Sequence, residues 1–186
     1  DFFDKTFYAH QFKDLRRLHA IINKVIEQLE EWEFLMSSDS EFSSAKELND
    51  EKFKTTLMGK RVAELYIDPL TANFMITCLR NASDKKLDAF SFLQAISHTL
   101  EIRPMLKVGL REHDKIQEAM LEFSDYILED EPSMYDPEYE EFLNSVKTAL
   151  MFNSWISEQD EEFLLEQYNI RPGELKAKTD RADWLL

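Results

Sequence analysis

Glycine and proline, the two residues that most often interrupt helices, are scarce in this chain. Only three glycines and five prolines occur in 186 residues, and the interior of a helix tolerates either residue poorly. Hydrophobic residues make up 44% of the chain and charged residues 32%, a balance typical of folded rather than disordered proteins. The sequence therefore predicts a mainly α-helical protein with short connections, long enough for one compact domain or two small ones.

The first third of the chain predicts a long amphipathic helix followed by a small β-hairpin. Residues 13–35 carry apolar side chains at alternating three- and four-residue steps: Leu15, Leu18, Ile22, Val25, Leu29 and Trp32. A short apolar strand, a loop rich in Ser, Asp and Asn, and a second strand over Phe53–Thr56 follow. This order is that of a winged-helix unit, whose first helix would precede residue 1.

The stretch MGKRVAELYIDPLTA, residues 58–72, places Lys60 and Arg61 directly after Gly59. A nucleotide-binding P-loop needs an earlier glycine at fixed spacing and a Ser or Thr after its lysine. No glycine precedes Gly59 at that spacing, and Arg61 stands in the Ser/Thr position. The stretch therefore predicts the start of the last winged-helix helix and not a nucleotide site. Lys60 and Arg61 are candidates for contact with nucleic acid, with a purely solvent-facing role as the alternative.

Beyond residue 68 every predicted element is a helix. Pro69 suits the first turn of one, and further helices are predicted over 88–102, 106–128, 136–156, 157–168 and 171–186. Asp136 and Ser157 are expected to cap the helices that follow them. The chain thus divides into a partial winged-helix domain over residues 1–68 and an all-helical bundle over residues 69–186.

Composition and spacing argue against several functional classes. The four histidines form no HxxxH or HExxH pair, so no zinc site is predicted, and no catalytic set of residues can be identified. Cys78 lies among apolar residues and is predicted to be a buried, unreactive thiol in a reducing compartment. No apolar run is long enough to span a membrane. The formal net charge of −15 disfavours broad adhesion to nucleic acid but allows a local basic site.

The last helix carries the clearest candidate binding feature. Lys176, Lys178 and Arg181 are interleaved with small residues, and Trp184 follows them. Such a face can follow a single strand, because phosphates meet the cations and a base stacks on the indole. Composition alone favours a plainer reading, in which Trp184 belongs to the core and the charged side faces water, since three nearby carboxylates balance the three cations.

Long phrases of the sequence resemble a known family in the same order along the chain. These are DFFDKTFYAHQF at the start, then LMGKRVAELYIDPLTA, HTLEIRPML, and the run from YDPEYEEF to ADWLL. Together they resemble the archaeal Ski-two-like DNA helicases of superfamily two, which are related to the helicase part of eukaryotic polymerase theta. The resemblance covers essentially the whole chain.

The resemblance implies a fragment of an ATP-dependent 3′–5′ DNA helicase that acts in replication-fork repair and recombination. Residues 1–68 would form most of the winged-helix domain and residues 69–186 most of the helical ratchet domain, with a further tail downstream. ATP and Mg²⁺ would bind in RecA-like motor domains upstream, so the fragment itself would lack ATPase activity and need no cofactor. A cytoplasmic, monomeric parent without membrane contact is expected.

The resemblance also implies which side chains touch DNA. In the family a long ratchet helix places a Trp and a basic residue against successive bases of single-stranded or forked DNA. Trp184 matches that Trp. The family's basic position, seven residues earlier, is Ala177 here, and the neighbouring Lys178 or Lys176 is expected to substitute for it. Arg181 is predicted as a further DNA contact.

Two other functions remain open at the level of sequence. Residues 122–141 carry nine acidic side chains and no Lys or Arg, which suits a helical interaction module that docks a basic partner or the motor domains. The same region of a related RNA helicase would differ only in its substrate.

Overall fold

The computed structural model describes residues 5–11, 14–37 and 53–186. The chain forms two compact units, Asp1–Pro69 and Leu70–Leu186, beside the predicted division between residues 68 and 69. The described residues form nine α-helices and one two-stranded hairpin. The prediction of a mainly α protein, with a small winged-helix-like unit followed by a helical bundle, is confirmed.

The first unit places its hairpin between two helices. Its described elements are α1 (Phe7–Gln11), α2 (Leu15–Glu31), β1 (Leu35–Ser37), β2 (Phe53–Thr55) and α3 (Leu57–Glu64). The strands are antiparallel, with Leu35 opposite Thr55 and Ser37 opposite Phe53. The predicted loop between the strands lies outside the described residues.

Helix α2 buries only part of its predicted apolar stripe. The Asp14 side chain accepts a hydrogen bond from the Arg17 N–H at 3.1 Å and so caps the helix. Leu18 is buried, whereas Val25 is 47% exposed. Trp32 is half-buried and meets the ring of Phe34 edge-on, as expected for a packing residue.

Position 59 requires glycine because α3 approaches the residue before β1 very closely. A Cβ atom at this position would lie 2.1 Å from the carbonyl oxygen of Phe34. The same corner is joined by Thr56, whose hydroxyl donates to the Glu33 carbonyl at 2.6 Å and accepts from the Gly59 N–H at 3.0 Å. Thr56 thus ends the second strand and caps α3.

The second unit is built around a buried helix. Its helices are α4 (Pro69–Asn81), α5 (Ala89–Ser97), α6 (His113–Phe123), α7 (Tyr139–Ile156), α8 (Glu161–Gln167) and α9 (Pro172–Leu185). Every residue of α7 from Phe142 to Ala149 is buried, and Phe90 of α5 packs in the same core. The other helices are therefore arranged around α7.

The helix predicted over residues 106–128 is shorter than expected. Helix α6 covers only His113–Phe123, because the backbone before it is bound by side chains. The Leu106 N–H donates to Thr148 at 3.0 Å, and the Val108 N–H donates to Asn144 at 2.7 Å. A backbone donor used in this way is not available to a helical turn.

Two predicted helix caps are also wrong. The side chain of Asp136 accepts from the Ser133 N–H at 2.8 Å instead of capping α7. Ser157 ends α7, and its hydroxyl donates to the Asn153 carbonyl. The cap of α8 is Asp160, whose carboxylate accepts from the Glu162 N–H at 2.8 Å.

We expect Gly59→Ala to destabilise the first unit by about 1–3 kcal/mol, the usual cost of overpacking, because the Phe34 carbonyl is backbone and cannot easily move. Hydrogen exchange of the α3 amides measures this as a loss of opening free energy. Gly173→Ala in α9 is the matched control, since a Cβ there meets no atom within 4 Å; it should leave α9 unchanged or slightly more protected. Unchanged exchange in Gly59→Ala would contradict the close approach.

Candidate nucleic-acid interface

Helix α9 has one buried face and one exposed face. Pro172 occupies its first turn, where a missing N–H costs nothing. The buried face repeats at helical spacing and comprises Leu175, Lys178, Thr179, Ala182 and Leu185. This register turns the opposite face toward solvent, and Lys176, Arg181 and Trp184 are exposed.

Trp184 is the aromatic group of the exposed face. It is 51% exposed, so its ring is not a core residue, contrary to the plainer reading of the sequence. Ala177 lies almost two turns earlier on the same side, and its small side chain leaves the surface before the indole open. The exposed face therefore presents one large aromatic ring and, on the same side, the small Ala177. We call the surface over these two residues the track.

Lys176 and Arg181 flank this track, and both already have partners. The Lys176 ammonium pairs with Asp180 at 3.0 Å on the helix surface. The Arg181 guanidinium donates through Nη1 to the carbonyls of Glu101 at 3.1 Å and Arg103 at 3.3 Å. Both side chains remain exposed, so a phosphate could reach either one.

Lys178 differs from the other candidates because it is buried. Its exposed fraction is 2%, and its ammonium donates to the carbonyls of Ile102, at 3.0 Å, and of Pro104. Burial lowers the pKa of this amine, with Glu174 opposing the shift and Arg181 adding to it. The expectation that Lys178 contacts DNA therefore does not fit its position; it anchors α9 from inside.

The carbonyls bound by α9 belong to a segment, residues 101–112, that we call the strap. Arg181 and Lys178 of α9 between them bind the carbonyls of its first four residues. Helix α7 binds the following part through Thr148, Asn144 and Lys147. The strap thus has little regular structure, yet its backbone is fixed on both sides.

A second buried lysine secures the end of the strap. Lys147 is 5% exposed, and its ammonium lies 2.9 Å from the Lys107 carbonyl and 2.8 Å from both carboxylate oxygens of Glu112. Glu112 also accepts from the Gly109 N–H at 2.7 Å. Burial would raise the pKa of Glu112, but Lys147, the Gly109 N–H and nearby Lys115 outweigh it and lower the pKa.

The two candidates of the first unit lie on α3. Lys60 and Arg61 are both exposed and share one carboxylate, Glu64, at 3.9 Å and 2.9 Å. Exposed pairs of this kind are weak, so both cations are accessible to an anionic ligand. Their unit is separate from that of α9.

Little else among the described residues suggests chemistry. No group of His, Cys, Asp or Glu in this part of the chain could hold a metal ion. Cys78 is buried, and burial, with Glu129 and Asp130 adding to it, raises the pKa of its thiol to about 12. No helix within the described ranges is long and apolar enough to cross a bilayer.

A family model described as "Archaeal helicase, domain 4" matches residues 90–186, from α5 through α9. The chain belongs to this family. The part that matches archaeal helicase domain 4 contains the strap, the buried helix α7 and the exposed Trp184.

Three curated relatives of this archaeal helicase domain 4 chain share the name "ATP-dependent DNA helicase Hel308". The protein of Methanocaldococcus jannaschii is 36% identical over 187 residues, covering the whole chain and 13% of its own length. That of Methanococcus vannielii is 32% identical over 217 residues, covering the whole chain and 27% of its own length. The relative of Pyrococcus horikoshii is 31% identical, over 24% of its length. The chain thus spans about a quarter or less of these relatives.

Reasoning from the sequence missed the strap, Lys147 and the anchoring role of Lys178, which it assigned to DNA instead. A signal was available for Lys178, because it falls in register with Leu175, Ala182 and Leu185 on the buried side of α9. None was available for Lys147, because every residue of α7 from Phe142 to Ala149 is buried and no exposed face there distinguishes it.

We expect Glu112→Gln to cost about 1–3 kcal/mol of unfolding free energy at pH 7, because it leaves the buried Lys147 ammonium without its counter-charge. The folded-state pKa of Glu112 lies below its ordinary value of 4.5. Its contribution is therefore present above pH 4.5 and is lost as the pH falls through the lowered folded-state pKa. Urea titrations across pH measure the difference between variant and wild type.

The difference in unfolding free energy between Glu112→Gln and the wild type should shrink as the pH falls. Glu118→Gln removes an exposed carboxylate of α6 that has no bonded partner among the described residues and should change stability by less than about 0.5 kcal/mol. A pH-independent effect of Glu112→Gln would show that its charge does not stabilise the strap.

Proposed function

We propose that this chain is the winged-helix and ratchet part of an ATP-dependent 3′–5′ DNA helicase that acts in replication-fork repair and recombination. Within it, the chain would guide the single strand along which the enzyme moves. Membership of archaeal helicase domain 4 and the name that its relatives share support this proposal. They favour it over the acidic interaction module that the sequence left open.

The observation that carries the proposal is the placement of Trp184. An indole that is half exposed, on a helix whose opposite face is firmly buried, is a rigid platform for one base. Stacking tolerates any base, because every base has a π-face. A guide for a moving strand needs such a contact, which holds the strand without reading its sequence.

The cations of the exposed face supply the second part of the contact. Lys176 and Arg181 would meet phosphates on either side of the stacked base, Lys176 in place of its pair with Asp180 and Arg181 through donors that it does not give to the strap carbonyls. Lys178 would act as a positioning residue, which keeps α9 against the strap while the strand moves. Lys60 and Arg61 of α3 are proposed as contacts of the winged-helix unit.

The energy that moves the strand would come from the rest of the parent protein. We propose that ATP and Mg²⁺ bind in RecA-like motor domains of that protein, and that those domains are partners of this chain together with single-stranded or forked DNA. The parent would be a monomer in the cytoplasm. This chain would contribute strand guidance and no step of hydrolysis.

Trp184→Ala should weaken binding of a 3′-tailed fork by about 1–3 kcal/mol, the usual value of one stacked base. Fluorescence anisotropy with a labelled fork, titrated across salt, measures this change. Affinity should also fall as salt rises, because phosphate contacts release counterions.

Tyr135→Ala is the matched control, since Tyr135 is an exposed aromatic residue that lies between α6 and α7 and not on α9. It should bind the fork as the wild type does. Unchanged affinity of Trp184→Ala would remove Trp184 from the interface. If the wild-type chain does not bind even at low salt, the measurement is repeated with the motor domains added, and continued absence of a Trp184 effect would refute the proposal.

A further inference from the structure

The strap carries two cations, Lys107 and Arg111, whose side chains take no part in its contacts with α7 and α9. The side chains of Lys107 and Arg111 are exposed, and neither forms an ion pair or hydrogen bond with any described residue. In this chain most other cations near α9 have a partner, as Lys176, Lys178 and Arg181 do. A chain with a net charge of −15 thus presents two unneutralised positive groups four residues apart.

These two cations border an open cavity beside α9. Its volume is about 780 Å³, and its charged lining comprises Lys107, Arg111, Lys147, Glu112 and Glu174. Tyr168 and Asn169 complete the polar wall. The space is large enough for a sugar-phosphate unit and is not filled by any side chain.

The carboxylates of the cavity do not cancel its positive charge. Glu112 is occupied by Lys147 and by the Gly109 N–H, and Glu174 lies 3.9 Å from the buried Lys178 ammonium. Each carboxylate therefore has its own buried lysine. Lys107 and Arg111 remain as the charges available to a ligand.

The backbone beneath the two cations is fixed in place. The Leu106 and Val108 N–H groups donate to α7, the Gly109 N–H donates to Glu112, and the Lys107 carbonyl accepts from Lys147. A ligand would therefore lose little free energy to ordering this segment. Only the two side chains themselves would need to become ordered.

The cavity and Trp184 lie near opposite ends of α9. Glu174, which lines it, is ten residues before Trp184, or about 15 Å along the helix axis. Arg181 lies between the two, already touching the strap. Cavity, Arg181 and indole thus follow one another along one flank of the helix.

We infer that the strap is a second contact for the guided strand, in which Lys107 and Arg111 bind backbone phosphates of the same single strand whose base stacks on Trp184. This inference rests on the proposed function. It assigns the strap to the phosphodiester backbone, so the contact is independent of base identity.

The test compares Lys107→Gln/Arg111→Gln with the wild type in anisotropy titrations of a labelled oligothymidine across salt. The variant should bind at least several-fold more weakly at low salt. The slope of log affinity against log salt should become shallower by about 1.4, since each lost phosphate contact on a single strand removes about 0.7.

The charge-matched control is Lys24→Gln/Lys85→Gln, which removes two exposed cations that form no ion pair with a described residue. It measures the general effect of making the chain more acidic. Equal slopes and equal affinities in the two double variants would overturn the inference. If Trp184→Ala still weakens binding in that case, the proposed function survives alone; if the wild type binds neither by itself nor with the motor domains added, both fail.

A second probe separates phosphate contact from a change in shape. An oligothymidine with uncharged methylphosphonate linkages should bind the wild type more weakly than the native oligonucleotide does. The Lys107→Gln/Arg111→Gln variant should show a smaller loss, because two of its phosphate contacts are already gone. An equal loss in both proteins would contradict phosphate binding by the strap.

Discussion

Two buried ammonium groups hold the helical unit around a segment without regular structure of its own. Taking a charge out of water is costly unless it is well hydrogen-bonded, and Lys147 and Lys178 meet that condition by donating to carbonyls of the strap. The same hydrogen bonds also provide the strap carbonyls with donors. One set of contacts thus joins α7, the strap and α9, and the surface that carries Trp184 depends on it.

Local patterns in the sequence predicted much of the fold. The stripe of α2, the paired strands and the first turn of α4 at Pro69 are all set by neighbours in the chain. The sequence predicts a helix from residue 106, but residues 106–112 of the strap are not helical, because two of their backbone donors bond to Thr148 and Asn144, 42 and 36 residues away. Ser157 was misread for a related reason, since a hydroxyl that can cap one helix can equally bond back to the end of the preceding one.

The candidate site shows the same division between local and distant causes. Trp184 could be selected from the sequence, because the resemblance and the residue type agree, and its exposure follows from the register of α9. Lys178 could not be separated from Lys176 by charge alone, since only the buried face of the helix distinguishes them. Lys107 and Arg111 fall inside the helix that the sequence predicts over 106–128, and exposed cations on such a helix do not by themselves indicate a binding site.

The order of contacts along α9 has a mechanical consequence. The strap grips the helix at Lys178 and Arg181, within two turns of the indole, and α7 holds the strap in turn. A pull on a base stacked against Trp184 would act on a short, supported arm. The load would pass through two buried amines into α7, so α9 would transmit displacement as a stiff element rather than absorb it by bending.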